Sequence, residues 1–219
     1  MWDSRAVIGC LLDILAIFSR NDLKSEILKE MDRHSKMLAG IAQNSNVDTS
    51  KLSQIMEELK QITSDLQASN GKIGMDLTKN ELFKSISQRS TIPGGTCSFD
   101  LPAYYYWLQQ AENQRKQDLL AWIKPFDLIR KAIDLVLRFI RQSSVPSSKI
   151  AESGFYQQPL ERELPFQLLR ISVEHSLPYF AEISGGKHRF TVRFMTTNPN
   201  ERPSQADKDV PFLLTCCVL

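Results

Sequence analysis

The hydrophobic pattern of this chain changes its period once, near residue 146, and that change restricts the possible folds more than any other feature. Before it, apolar residues recur every three or four positions, which indicates amphipathic helices; a clear stripe is Leu52, Ile55, Met56, Leu59, Ile62 and Leu66. After the serine-rich segment 143–148, apolar and polar residues alternate, which is typical of strands with one solvated face. We therefore predict an α+β protein: an N-terminal helical domain, residues 1–145, packed with a smaller C-terminal antiparallel β domain, residues 146–219.

A second constraint lies at residues 91–102, where several turn-forming residues follow one another. Pro93 fixes its own φ, and Gly94 and Gly95 accept positive φ, so the chain must turn there. The small and aromatic residues that follow suit a short strand, and Pro102 suits the first turn of a helix. We predict a strand at about residues 94–100, inserted between helices and joining the β domain. An ordinary loop between helices is the alternative.

Overall composition excludes some partners. The 219 residues include 27 basic and 25 acidic side chains, a net charge of +2, so overall charge gives no reason to expect nucleic-acid or membrane binding. The apolar run Ala6–Phe18 is too short to span a bilayer and is interrupted by Asp13, which favours a buried helix and no membrane insertion.

The four cysteines lack the CxxC spacing of a zinc site, and we expect reduced thiols in a cytoplasmic protein. Cys97 and Cys216 could meet if the inserted strand pairs with the last one. The three histidines form no metal-binding pattern, and no Gly-x-Ser-x-Gly nucleophile motif is present. We therefore predict a protein that is not an enzyme and has no catalytic residues, metal or cofactor, although a Cys/His pair assembled by folding remains an alternative.

The most informative local chemistry follows Gly185-Gly186, which indicates a hairpin. Because side chains alternate along a strand, Lys187, Arg189 and Arg193 should share one face, while Phe190, Val192 and Phe194 share the other with His188. The two arginines would lie roughly 13 Å apart at about 3.3 Å per residue. Such a row of cations suits an extended, partly acidic peptide. A solvated strand face is the alternative from spacing alone, and a nucleic-acid-binding strand at residues 187–193 is another.

Several motifs, in order along nearly the whole chain, resemble the ZapD (FtsZ-associated protein D) family. They are Ile92-Pro93-Gly94-Gly95, Cys97-Ser98-Phe99-Asp100-Leu101-Pro102, Trp107-Leu108, Ile140-Arg141-Gln142-Ser143, Gly154-Phe155-Tyr156-Gln157, Ile183-Ser184-Gly185, and Arg189-Phe190 through Arg193-Phe194-Met195. The resemblance implies a non-enzymatic cytoplasmic homodimer with a helical domain and a smaller β domain. It also implies binding to the C-terminal tail of FtsZ and bundling of FtsZ filaments at the midcell division ring.

The resemblance also implies which residues bind the tail. The family's basic surface includes arginines on the strand after the Ile-Ser-Gly turn, here Arg189 and Arg193, with Lys187 beside them. Arg20 matches a basic position near the end of the first helix. At two positions where members can carry Arg and His, this chain has Glu81 and Tyr105, so its surface is expected to be less basic.

Overall fold

The computed structural model describes residues 2–20, 22–42, 49–69, 71–161, 163–197 and 201–218, and it confirms the α+β class. The chain divides into two compact units, Met1–Val136 and Leu137–Leu219. Helix gives way to strand between Gln142 and Ser147. The domain boundary between residues 145 and 146 stays a prediction.

The described helices occupy the N-terminal part of the chain. They are α1 (Trp2–Arg20), α2 (Leu23–Ile41), α3 (Thr49–Ala68), α4 (Glu81–Arg89), α5 (Pro102–Gln109), α6 (Glu112–Ile123) and α7 (Asp127–Gln142), with short 3-10 helices at Met75–Lys79 and Lys124–Phe126. Local side chains fix two of the starts. Asp22 accepts a hydrogen bond from the Ser25 amide at 3.2 Å, and Asn80 accepts one from the Phe83 amide at 2.9 Å. Each bond satisfies an amide that has no partner within its helix.

The helical unit has an apolar core in which α2 packs on α3 and α1 on α6. Four members of the α3 stripe are buried, namely Leu52, Leu59, Ile62 and Leu66. In the same unit the Trp107 and Trp122 rings stack with centroids 5.4 Å apart, and the Trp107 indole donates to the Asp118 carboxylate at 2.8 Å. Because its indole N–H is satisfied, Trp107 can be buried without an orphaned donor.

The predicted strand at residues 94–100 is wrong: this segment is a series of turns that leads into α5. The amides of Gly95, Cys97 and Leu101 donate to carbonyls three or four residues back, so they are not available for a ladder with another strand. The turn itself was correctly predicted, since Gly94 has φ of 74°.

Seven strands follow in the described residues. They are β1 (Ser147–Ala151), β2 (Phe155–Pro159), β3 (Phe166–Ser172), β4 (Phe180–Gly185), β5 (Arg189–Thr196), β6 (Ser204–Gln205) and β7 (Val210–Val218). All pair antiparallel, in two sheets. One sheet has the order β1-β7-β3, and the other has the order β2-β5-β4, with β6 pairing the end of β5. Since residues 94–100 form no strand, the proposed route by which Cys97 would meet Cys216, pairing of an inserted strand with β7, does not form.

The two sheets face each other across one apolar core. The sheet that contains β5 contributes Phe190, Val192 and Phe194, and the β7 sheet contributes Val210, Phe212 and Leu214. The Phe194 and Phe212 rings lie with their centroids 5.2 Å apart. Each sheet therefore has one face in the core and the other turned away from it.

Candidate partner-binding face

The outer face of the β2-β5-β4 sheet carries the two arginines that the sequence singled out. On β5, Phe190, Val192 and Phe194 are fully buried, whereas Arg189 and Arg193 are exposed. The period-2 alternation is thus confirmed: burying the three apolar side chains turns both guanidinium groups outward.

The strand register decides what stands beside each arginine. Arg193 pairs with Phe155 on β2 and with Glu182 on β4, while Arg189 pairs with Pro159 on β2. Directly opposite residues on one face have Cβ atoms about 5 Å apart, so these are the arginines' nearest side chains from neighbouring strands. Sequence reasoning missed Phe155 and Glu182 because only the pairing of distant segments brings them to this face.

Both guanidinium groups are available to a ligand. Neither Arg189 nor Arg193 forms an ion pair or side-chain hydrogen bond within the described ranges, even though Glu182 lies across from Arg193. Five of the ion pairs that do form join residues three apart on a helical segment, such as Lys29 with Glu26. An unpaired guanidinium on a strand can donate two parallel hydrogen bonds to a carboxylate.

Lys187 does not lie on the strand face as predicted. Gly185 belongs to β4, where it pairs with Phe190, so the hairpin loop is residues 186–188 and contains Lys187. The loop places this lysine at one end of the arginine row, where it lines a cavity of about 570 Å³ together with His188 and Glu161. Moreover, β5 is the central strand of its sheet and not an edge.

Arg20 belongs to the helical unit. It is exposed at the last position of α1 and lines a cavity of about 370 Å³ with Asp22, Lys24 and Lys72. A cation at a helix C-terminus is also stabilised by the helix dipole, which accounts for an arginine there without a ligand. A partner-binding role for Arg20 stays a prediction.

Thiols and possible metal-ligating side chains are the remaining candidates for chemistry among the described residues. The four cysteines are free thiols, and burial, with a smaller effect of Cys217, raises the pKa of Cys216, which opposes thiolate formation. Among the described residues, no three His, Cys, Asp or Glu side chains are grouped as metal ligands would be. None of the helices that the structure describes combines the length and hydrophobicity needed to cross a bilayer.

Comparison with known proteins gives a consistent result. A sequence model of the ZapD family, described as a cell division protein, matches residues 1–193. The chain is 44% identical over 219 residues to the cell division protein ZapD of Methylococcus capsulatus, covering 100% of this chain and 86% of that protein. Proteins of the same name from Janthinobacterium sp. and Ralstonia pickettii are 37% identical over 210 and 208 residues, covering 96% and 94% of this chain and 83% and 82% of theirs.

Proposed function

Because this chain belongs to the ZapD family of cell division proteins, we propose that it binds the C-terminal tail of FtsZ and cross-links FtsZ filaments into bundles. A role in cell division follows from the family. The observation that supports the finer assignment is the pair of exposed, unpaired arginines on one face of β5, Arg189 and Arg193, within the described ranges. Lys187 in the adjacent loop adds a third cation.

The spacing of the two arginines fits an extended peptide. Four residues of β-strand separate their Cα atoms by about 13 Å, and a second extended chain advances at a similar rate. Two carboxylates about four residues apart on the tail could therefore each pair with one guanidinium. These pairs would be at the protein surface, so salt should weaken them, and each alone should bind modestly.

Bundling requires at least two such faces on one particle. We propose a homodimer that acts in the cytoplasm at the midcell ring as a scaffold, not as an enzyme. Each subunit would hold one tail, and weak sites linked in this way gain effective concentration on a polymer that displays many tails.

Charge reversal at the two arginines tests the proposed tail binding. Replacing Arg189→Glu together with Arg193→Glu should weaken binding of an FtsZ tail peptide at least about a hundredfold, because two attractive charges become repulsive. Fluorescence anisotropy at two ionic strengths measures the affinity, and light scattering by FtsZ filaments measures bundling. The wild-type affinity should fall as salt rises.

A matched control changes the same charge elsewhere. Arg170→Glu with Lys208→Glu alters two exposed cations that lie outside the β2-β5-β4 sheet face, so binding should remain close to wild type. Circular dichroism should show both double variants folded. Unimpaired bundling by the Arg189/Arg193 variant would reject this site.

The same variants test the nucleic-acid alternative. A protein that follows a phosphate backbone neutralises several phosphates with cations, whereas Glu182, opposite Arg193, would repel a phosphate there. We expect no shift of DNA or RNA in a gel at a protein concentration that saturates the tail peptide. A shift that the Arg189/Arg193 variant abolishes would favour nucleic acid over the tail.

A further inference from the structure

Two exposed aromatic rings lie beside Arg193 on the outer face of the β2-β5-β4 sheet. Phe155 stands directly opposite Arg193 on β2, and Phe180 stands opposite Met195 on β4. Phe180 is therefore the diagonal neighbour of Arg193, within the reach of an aromatic side chain. The rings are 38% and 40% exposed, respectively.

These rings are not explained by the core of their own unit. The core lies on the opposite face of the sheet, where Phe190 and Phe194 are fully buried. In the part of the chain that the structure describes, neither Phe155 nor Phe180 contacts another ring or a cation. Strand propensity favours aromatic residues in general, but it does not require two of them, with Met195, around one arginine.

The apolar side chains also change the electrostatics of Arg193. Glu182 stands directly opposite on β4, but Phe155 on β2 and Phe180, diagonally across on β4, would exclude water from part of the surface around the guanidinium. A carboxylate bound there would be less screened than one bound in open solvent. The far end of the row differs. Arg189 has Pro159 on one side and the hairpin loop, residues 186–188, on the other. The face therefore has an apolar end at Arg193 and a polar, cationic end at Arg189 and Lys187.

We propose that Phe155 and Phe180 are peptide-binding residues that hold an apolar side chain of the ligand next to the carboxylate on Arg193. The ligand is then an extended peptide with an apolar residue beside one carboxylate and a second carboxylate about four residues away. Because the two ends of the face differ, the peptide should lie on the face in one direction. The inference rests on the proposed function, since it describes the same face and the same tail.

The test separates apolar contact from charge. Phe155→Thr with Phe180→Thr keeps strand propensity and both arginines but removes the rings, and should weaken binding of the FtsZ tail peptide about tenfold or more. The slope of log affinity against log salt concentration should stay at the wild-type value, because no charge is lost. Arg189→Glu with Arg193→Glu should instead remove the salt dependence together with the binding.

Control variants keep the result interpretable. Ile150→Thr with Leu213→Thr removes two exposed apolar side chains from the other sheet and should leave peptide affinity unchanged. Phe155→Leu with Phe180→Leu restores apolar surface and should recover most of the affinity, which a merely misfolded sheet would not do. Unchanged affinity in the Phe→Thr variant, with binding lost in the arginine variant, would overturn this inference and leave the proposed function standing. Retained binding by the arginine variant would reject the arginine face as the site of the proposed function, and this inference with it.

Discussion

At the scale of single residues, the chemistry of the candidate face depends on which side chains oppose Arg193. The β5 pattern alone places this arginine outward, but its surroundings are contributed by Phe155 and Glu182 from other strands. One of these neighbours is apolar and the other carries the charge that an acidic ligand would also carry. The arginine is therefore flanked by one group that should favour such a ligand and one that should oppose it.

Glu182 provides the prediction at this scale. Glu182→Gln should tighten binding of the FtsZ tail peptide by about two- to fivefold, because it removes a negative charge opposite Arg193 while keeping a similar shape. Anisotropy titrations at low and high salt check this, and the gain should shrink at high salt. Glu174→Gln, an exposed acid in the loop after β3, is the control and should change nothing. Weaker binding by Glu182→Gln would mean that the carboxylate contacts the ligand favourably.

At the scale of elements, the β1–β2 turn leads the chain into β2, the strand that brings Phe155 to the face. Ser153 and Gly154 have φ of 45° and 72°, which matches the tight hairpin turns whose central residues have positive φ. The turn carries the chain from one sheet to the other, and side chains from residues 205 and 209 hold it in place. Asp209 accepts a hydrogen bond from the Ser153 amide at 2.9 Å, and Gln205 donates one to the Ser153 carbonyl at 2.8 Å. Phe155, the next residue after the turn, is thereby placed opposite Arg193.

Gly154→Ala should therefore destabilise the protein. A Cβ at this position would lie 2.8 Å from the Ala206 carbonyl oxygen, and the positive φ adds strain. We expect the free energy of unfolding to fall by at least about 1–2 kcal/mol, measured by urea denaturation.

Gly185→Ala serves as the control for this change. Gly185 belongs to β4, and an added Cβ there meets nothing within 4 Å, so its effect should stay within about 0.5 kcal/mol. Equal stabilities of the two variants would contradict the role given to the turn.

At the scale of the whole molecule, bundling depends on how many binding faces one particle presents. A single arginine face per chain would bind a filament without joining it to another, so the proposed cross-linking requires two chains. Mixed dimers of one wild-type chain and one Arg189→Glu/Arg193→Glu chain should therefore bind filaments and fail to bundle them.

Two affinity tags isolate such dimers. Co-expression with a different tag on each chain, followed by purification on both, gives particles with one intact face. Sedimentation measures binding, and light scattering or electron microscopy measures bundles. Doubly tagged wild-type dimers are the control and should bundle. Failure to recover any doubly tagged particle would contradict the dimer, and bundling by the mixed dimer would contradict one face per subunit.

Local pattern in the sequence was enough to predict the fold class and the outward direction of Arg189 and Arg193. The buried side of an element can be read from the spacing of its apolar residues, which is a local property of the sequence. This holds for the 3.6-residue stripe of α3 and for the alternation of Phe190, Val192 and Phe194 on β5. Tertiary structure alone decided the rest. The segment 94–100 forms turns because its amides bond locally, Lys187 lies in a loop because Gly185 pairs within β4, and Phe155, Phe180 and Glu182 reach β5 through strand register. Strand register is set by pairing between segments far apart in the chain, and it cannot be predicted from the short-range periodicity of one segment.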